Sequence, residues 1–259
     1  MTRTFLMEPT PYAAVNEMLG RVQTAVSDIL GDQFVGLYLY GSLVTGDFSE
    51  TTSDIDFLVA VREPLSNEMV TQLSEMHERL AADESKWGDE LECYYLHTAA
   101  LRRFVPSPEA FPHRERGEAL KTEPLAEDIV IMQYILWHKG ITLAGTPIRE
   151  LIDAVTSEEL RQAVAGLFVG WWRPMIMNQA KLQSVGYRVY AITTMCRVLY
   201  TLRYGEIVSK PEAVRWATTE LDERWHRLIE TAVSWQGEPL DNLAKTVELI
   251  QLVSDEIGY

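Results

Sequence analysis

Val15, Leu19, Val22, Val26 and Ile29 recur three or four residues apart, so they fall on one face of a helix. Thr10 and Pro11 stand ahead of them as a cap and a first-turn proline, and Gly31 closes the segment. The period then shortens. Phe34 to Tyr40 and Asp56 to Val61 are compact apolar runs rich in aromatic and β-branched residues, as buried strands are, and Gly41 to Ser53 is expected to be the loop between them. Ser66 caps a helix carrying Val70, Leu73, Met76 and Leu80, and a third strand is expected from Glu90 to Leu96. The order is α-β-β-α-β.

After Thr98 the pattern weakens, and Pro106, Ser107, Pro108, Pro112 and Pro124 predict an irregular connection. A domain boundary is expected there, giving domains 1–124 and 125–259. The remainder is helical in period: Leu125 to Lys139, a helix opened by Thr156 with Glu159 as its capping-box partner, Tyr187 to Tyr204 stopped by Gly205, and two more. Strands first and helices afterwards predict an α+β fold, a mixed sheet with flanking helices followed by an α-helical bundle.

A chain of 259 residues can bury two modest cores. Cys93 and Cys196 lie in apolar surroundings without CxxC spacing, so they read as reduced, buried thiols. No apolar run is long enough to cross a membrane, and the first thirty residues lack a basic segment followed by an apolar stretch and a cleavage site, so a cytoplasmic location is expected. Charge narrows the partners. With 23 basic and 38 acidic residues the net charge is −15, which repels polyanions, argues against a nucleic-acid acceptor and draws cations towards a cleft. The five histidines, at positions 77, 97, 113, 138 and 226, show no zinc-ligand spacing, and no GxSxG or Cys-His arrangement supports a hydrolase nucleophile. Trp171-Trp172 can stack on a base or sugar or belong to the core; Trp137, Trp216, Trp225 and Trp235 read as packing.

The chemistry concentrates between the first two strands. Asp54 and Asp56 are one residue apart, so strand alternation puts both on one face. Paired carboxylates form a hard oxygen site suited to Mg²⁺, which keeps several waters and takes other ligands from substrate phosphates. Gly41 permits a tight turn and close backbone approach, and Ser42 offers an N–H and a hydroxyl to phosphate oxygens, as Ser53 can from the other side. On the third strand Glu90, Glu92 and Tyr94 share a face. Glu92, deeper in the apolar run, could bind metal or take a proton from an attacking hydroxyl, while Glu90 reads as a solvated strand-end carboxylate and the alternative base.

Strand, Gly41-Ser42, Gly46 and Ser53-Asp54-Ile55-Asp56 in this spacing resemble the polymerase-β-type nucleotidyltransferase superfamily with its GS…DxD signature. Cys196 to Thr201, Gly205 to Lys210 and Trp216-Ala217 resemble the C-terminal domain of the aminoglycoside 3''-adenylyltransferases, which inactivate streptomycin and spectinomycin with AMP from ATP. That resemblance implies a nucleotidyltransferase domain over 1–124 and Mg²⁺ held by Asp54, Asp56 and Glu92, with Glu92 as catalytic base. It further implies nucleotide contacts from Gly41, Ser42, Ser53, Asp128, Arg197 and Lys210, the last two reaching the triphosphate. Left to spacing alone, Arg197 would read as a helix salt bridge and Lys210 as an exposed turn lysine.

One departure bears on the acceptor. Streptomycin-modifying members carry a tryptophan and aspartates just before the helix that here begins near Tyr187, whereas Met175 to Ser184 contains no acid and one lysine. The expected activity is Mg²⁺-dependent transfer of AMP from ATP to a hydroxyl of a small cationic aminoglycoside or aminocyclitol, spectinomycin-like rather than streptomycin, by an antibiotic-resistance enzyme acting as a monomer. Adenylylation of a protein target, or nucleotide binding without turnover, are the alternatives.

Overall fold

The structure, a computed structural model, describes residues 8–258. The first unit opens with α1 (Ala13–Leu30), β1 (Phe34–Leu39), a single helical turn α2 (Ser42–Thr45), β2 (Ile55–Val61), α3 (Asn67–Ala81) and β3 (Leu91–His97). Then come α4 (Thr98–Arg102), β4 (Ala110–Arg114), β5 (Lys121–Pro124), α5 (Asp128–Lys139), whose start through Tyr134 belongs to the second unit, β6 (Ile141–Gly145) and α6 (Ile148–Leu151). The strands make one six-stranded sheet in the order β5-β4-β3-β2-β1-β6. It is mixed, because β2 and β3 run parallel while every other pair is antiparallel. Parallel neighbours need a crossover, and α3 supplies it.

Alternation along the strands separates the sheet's two faces. Leu37, Leu39, Phe57, Val59, Cys93 and Tyr95 share a core with Val15, Leu19, Val22 and Val26 of α1 and Leu73, Met76 and Leu80 of α3. Tyr40, Asp56, Glu92 and Tyr94 fall on the opposite face. The α3 cap forms as its sequence predicts, with the Ser66 hydroxyl accepting from the Met69 N–H at 3.2 Å. Thr10 is different: α1 begins at Ala13 behind Tyr12, and the Thr10 hydroxyl instead donates to Asn16 Oδ1 at 2.6 Å.

The stretch expected to be irregular contains α4, β4 and β5, which extend the sheet beyond β3. Its alternation is hidden because β5 is an edge strand whose Thr122, Glu123 and Pro124 are exposed, and β4 buries His113 and Arg114 beside Phe111. The strand β6, also unforeseen, pairs with β1. The segment between Gly41 and Ser53 is a loop interrupted by α2.

The second unit contains α7 (Ser157–Leu167), α8 (Val185–Tyr204), α9 (Lys210–Glu220), α10 (His226–Val233) and α11 (Leu243–Ile257). Thr156 and Glu159 form the predicted capping box, and Gly205, at φ 70°, ends α8. Three helices follow α8 where two were expected. The core joins Leu160 and Val164 of α7 to Ala191, Ile192, Met195, Cys196 and Leu199 of α8 and to Leu249, Ile250 and Val253 of α11.

By packing, the units comprise Met1–Leu125 with Ile135–Ala154, and Ala126–Tyr134 with Val155–Tyr259. The chain thus passes between the units three times where a single boundary after residue 124 was expected, because the start of α5 belongs to the helical unit while β6 and α6 belong to the sheet unit. No helix among the described residues is long and apolar enough to cross a membrane.

Candidate active site

Asp54 lies immediately before β2, Asp56 is the second residue of that strand, and Glu92 is the second residue of β3. The parallel register pairs Asp56 with Glu92 directly, which sets both side chains on one face. One carboxylate oxygen from each of Asp54, Asp56 and Glu92 lies within 4.8 Å of the other two. Three negative groups so close repel one another unless a cation or protons intervene. Such an oxygen-only cluster suits a hard divalent ion.

Glu90 is outside the cluster. Its carboxylate is held in a two-point ion pair by Arg116, one arm of which, from Nη2 to Oε1, is 2.9 Å long. That pairing neutralises Glu90 and leaves Glu92 as the carboxylate beside the two aspartates.

Gly41 occupies the turn into α2 at φ 65°, a backbone conformation favoured by glycine. The Asp56 carboxylate fills the space where a side chain at 41 would begin: a Cβ there would stand 1.8 Å from Asp56 Oδ2. The glycine therefore serves close packing between turn and carboxylate as well as the turn itself. Ser42 Oγ is buried and has no hydrogen-bond partner among the described residues. A buried hydroxyl left unsatisfied costs free energy, so a phosphate oxygen arriving there would find a donor already desolvated. Ser53 Oγ accepts from the Ser49 N–H at 3.0 Å, which folds the loop ahead of Asp54 and leaves the hydroxyl proton to donate elsewhere.

Tyr40 completes this face, and the reading of the sequence gave it no role. It is 7% exposed. Burial first, and then the negative charges of Asp56 and Glu92, push its pKa well above the ordinary tyrosine value, so it stays a neutral phenol. Its place directly before the Gly41-Ser42 turn was the available signal.

Asp128, Arg197 and Lys210 lie in the second unit. Asp128 is the half-buried first residue of α5. Arg197 is half-buried on α8, and among the described residues nothing forms a hydrogen bond or ion pair with its side chain, so the salt-bridge alternative is not what the structure has. Lys210 opens α9 behind a Ser209-Glu212 capping box and is half-buried, with Nζ 5.7 Å from the centre of the Tyr190 ring.

The remaining polar candidates have structural roles. Cys93 and Cys196 are buried free thiols, with burial pushing the Cys196 pKa up to about 12. Among the described residues the one group of acidic, histidine or cysteine side chains spaced to hold a metal is the Asp54, Asp56, Glu92 cluster. The tryptophan pair divides: Trp172 is buried, while Trp171 is 46% exposed.

Similar proteins agree with both units. The family model described as nucleotidyltransferase domain matches residues 21–133, and that described as aminoglycoside adenylyltransferase, C-terminal domain, matches residues 150–256. A spectinomycin 9-adenylyltransferase of Campylobacter jejuni is 28% identical over 249 residues, covering 90% of this chain and 91% of its own. One from Enterococcus faecalis is 24% identical over 256 residues, covering 92% and 94%. A crystal structure of the enterococcal spectinomycin adenyltransferase AAD(9) with ATP and spectinomycin shares the fold at a TM-score of 0.73, with 20% identity over 94% of this chain and 99% of that one. A sheet unit carrying the GS…DxD carboxylates and a helical unit of the adenylyltransferase type thus place this chain in the nucleotidyltransferase superfamily, as an aminoglycoside adenylyltransferase-like enzyme.

Proposed function

We propose that the chain transfers AMP from ATP to a hydroxyl of a compact, cationic aminocyclitol of the spectinomycin kind. The observation that carries this is the clustering of Asp54, Asp56 and Glu92 within 4.8 Å, behind a glycine turn with a desolvated serine hydroxyl. The likeness to enzymes named for spectinomycin adenylylation supports the acceptor class.

The donor set fits Mg²⁺, being three carboxylates without sulfur or imidazole. Asp54, Asp56 and Glu92 would hold it, and when bound it neutralises charge on the triphosphate. Gly41, Ser42 and Ser53 would receive the phosphates in the first unit, and Asp128, Arg197 and Lys210 would contribute nucleotide contacts from the second. Arg197, lacking an ion-pair partner among the described residues, keeps its full charge for an anion. The acceptor hydroxyl attacks the α-phosphorus, its proton passes to a Glu92 carboxylate oxygen, and pyrophosphate leaves with the electrons of the broken P–O bond. The net charge of −15 favours a cationic small molecule over nucleic acid, and the reading is of a monomeric, cytoplasmic enzyme.

Pyrophosphate release from ATP and Mg²⁺ across a panel of aminocyclitols and aminoglycosides tests the reaction, with spectinomycin expected to be turned over. Glu92→Gln should keep ATP affinity and lower the transfer rate by roughly 10² to 10⁴, the range for loss of a general base. Collapse of ATP affinity in that variant would make Glu92 mainly a metal ligand. Near-normal turnover by Asp54→Asn or Asp56→Asn at saturating Mg²⁺ would overturn the proposed site.

A further inference from the structure

Beyond the three carboxylates, we infer that Arg116 is a positioning residue that sets their spacing and thereby the affinity of the site for a divalent cation. Arg116 stands just past the end of β4, in a turn fastened to the entrance of β3. There the Gly117 N–H donates to the Asp89 carbonyl at 3.0 Å, and the buried Arg114 side chain donates to the Leu91 carbonyl and to Asp89 Oδ1. From this anchored turn the Arg116 guanidinium reaches two segments at once. Nη1 donates to the Thr52 carbonyl at 3.0 Å, while Nε and Nη2 grip both oxygens of Glu90.

The two gripped residues decide its role. Thr52 is two residues before Asp54, and Glu90 is two residues before Glu92. The Ile55 N–H also donates to the Glu90 carbonyl at 2.8 Å, so the entrances of β2 and β3 are joined once by backbone and again by Arg116. With strand registers fixed, the remaining freedom of Asp54, which precedes β2, lies in the loop that Thr52 belongs to, and Arg116 holds that loop. A planar guanidinium can make the two hydrogen bonds and the Nε–Oε2 ion-pair contact together; a lysine ammonium on a flexible stem cannot reproduce that arrangement.

A rival explanation is that Arg116 merely stabilises the fold. Its side chain is 43% exposed, and ion pairs in that setting add little stability. Another rival is charge alone. A cation near three carboxylates opposes entry of a metal, so removing it on electrostatic grounds would tighten metal binding, whereas loss of positioning loosens it. The two effects have opposite signs.

This inference rests on the reading that Asp54, Asp56 and Glu92 hold a divalent ion. The test is titration of Mn²⁺ alone into the full chain, followed by water-proton relaxation, for the wild type, Arg116→Lys, Arg116→Gln and Asp54→Asn, with the melting temperature of each. Expected is about tenfold weaker Mn²⁺ binding or more in both Arg116 variants, as for lost outer-shell partners of metal ligands, with melting temperatures close to wild type. Their KM for Mg²⁺ in turnover should rise while kcat at saturating Mg²⁺ recovers. Unchanged Mn²⁺ affinity in both Arg116 variants, with binding lost in Asp54→Asn, would overturn the positioning role and leave the metal site standing. Tighter binding in Arg116→Gln with wild-type behaviour in Arg116→Lys would reduce Arg116 to its charge and likewise overturn it. Unaltered binding in Asp54→Asn would remove the metal site itself, and the inference with it.

Discussion

Gly41 and His77 show how single residues serve this fold by what they lack. Gly41 lacks a side chain where Asp56 lies, so turn and carboxylate pack into the same space. His77, on α3, lacks a charge. It is 2% exposed, its Nε2 shares a hydrogen bond of 2.8 Å with the Tyr95 hydroxyl, and its Nδ1 has no hydrogen-bond partner among the described residues. Burial, helped by the positive charge of Arg114, lowers its pKa from 6.5 to about 3. Between these values the unfolded chain binds a proton that the folded chain refuses, so stability rises with pH across the window and is lost on acidification. Above the upper value His77 is neutral in both states and contributes no slope. Its share is about 1.4 kcal/mol per pH unit inside the window. Denaturant unfolding at pH 7 and pH 5 should therefore differ less in His77→Gln than in the wild type, by about 2 kcal/mol. An identical difference in both proteins would mean that His77 protonates in the folded state.

At the scale of elements, two of the three arginines on α8, Arg188 and Arg197, cannot be distinguished by a helical pattern, and the structure gives them opposite tasks. Arg188 is buried, and its guanidinium donates to Asn242 Oδ1 at 2.6 Å and to the carbonyls of Leu182, Gln183 and Leu240 at 2.7, 3.0 and 2.7 Å. It fastens the chain before α8 and the chain before α11 to one helix. The Arg197 guanidinium has no such bonds among the described residues. Arg188→Met leaves several buried acceptors unpaired and should destabilise by about 3 kcal/mol or more, whereas Arg197→Met should melt near the wild type but bind ATP more weakly. Comparable melting losses in both would contradict this division. Elements with a clear apolar period and a cap were legible in the sequence: α3 behind Ser66, α7 behind Thr156, and β1 to β3, whose central strand is wholly buried. The strands β4, β5 and β6 were not, because β5 has an exposed edge without an apolar face and β4 contains Pro112 and buries the polar His113 and Arg114. Partner choice was equally hidden: the carboxylates of the candidate site announced themselves by spacing, but that Arg116 would pair with Glu90 depends on a strand the sequence did not reveal.

For the molecule as a whole, the net charge of −15 raises the local concentration of cations, yet such a diffuse field is screened over about 8 Å at physiological salt. It can recruit an acceptor; holding one requires local partners. A large guanidinium-bearing drug such as streptomycin would need carboxylates where the resemblance sets them, before α8. Residues 175–184 offer none, and the one lysine there, Lys181, lies with Nζ 3.6 Å from the centre of the exposed Trp171 ring. A drug cation seeking that aromatic face meets a cation already seated on it. Streptomycin is therefore expected to bind weakly or not at all, and spectinomycin, compact and less highly charged, to bind when ATP and Mg²⁺ are present. Calorimetric titration of both drugs into the ATP-Mg²⁺ complex decides between them. Tight streptomycin binding would show that acids outside residues 175–184 build the pocket. Binding restored only in Lys181→Ala would identify the lysine, rather than the missing carboxylates, as what excludes the larger drug.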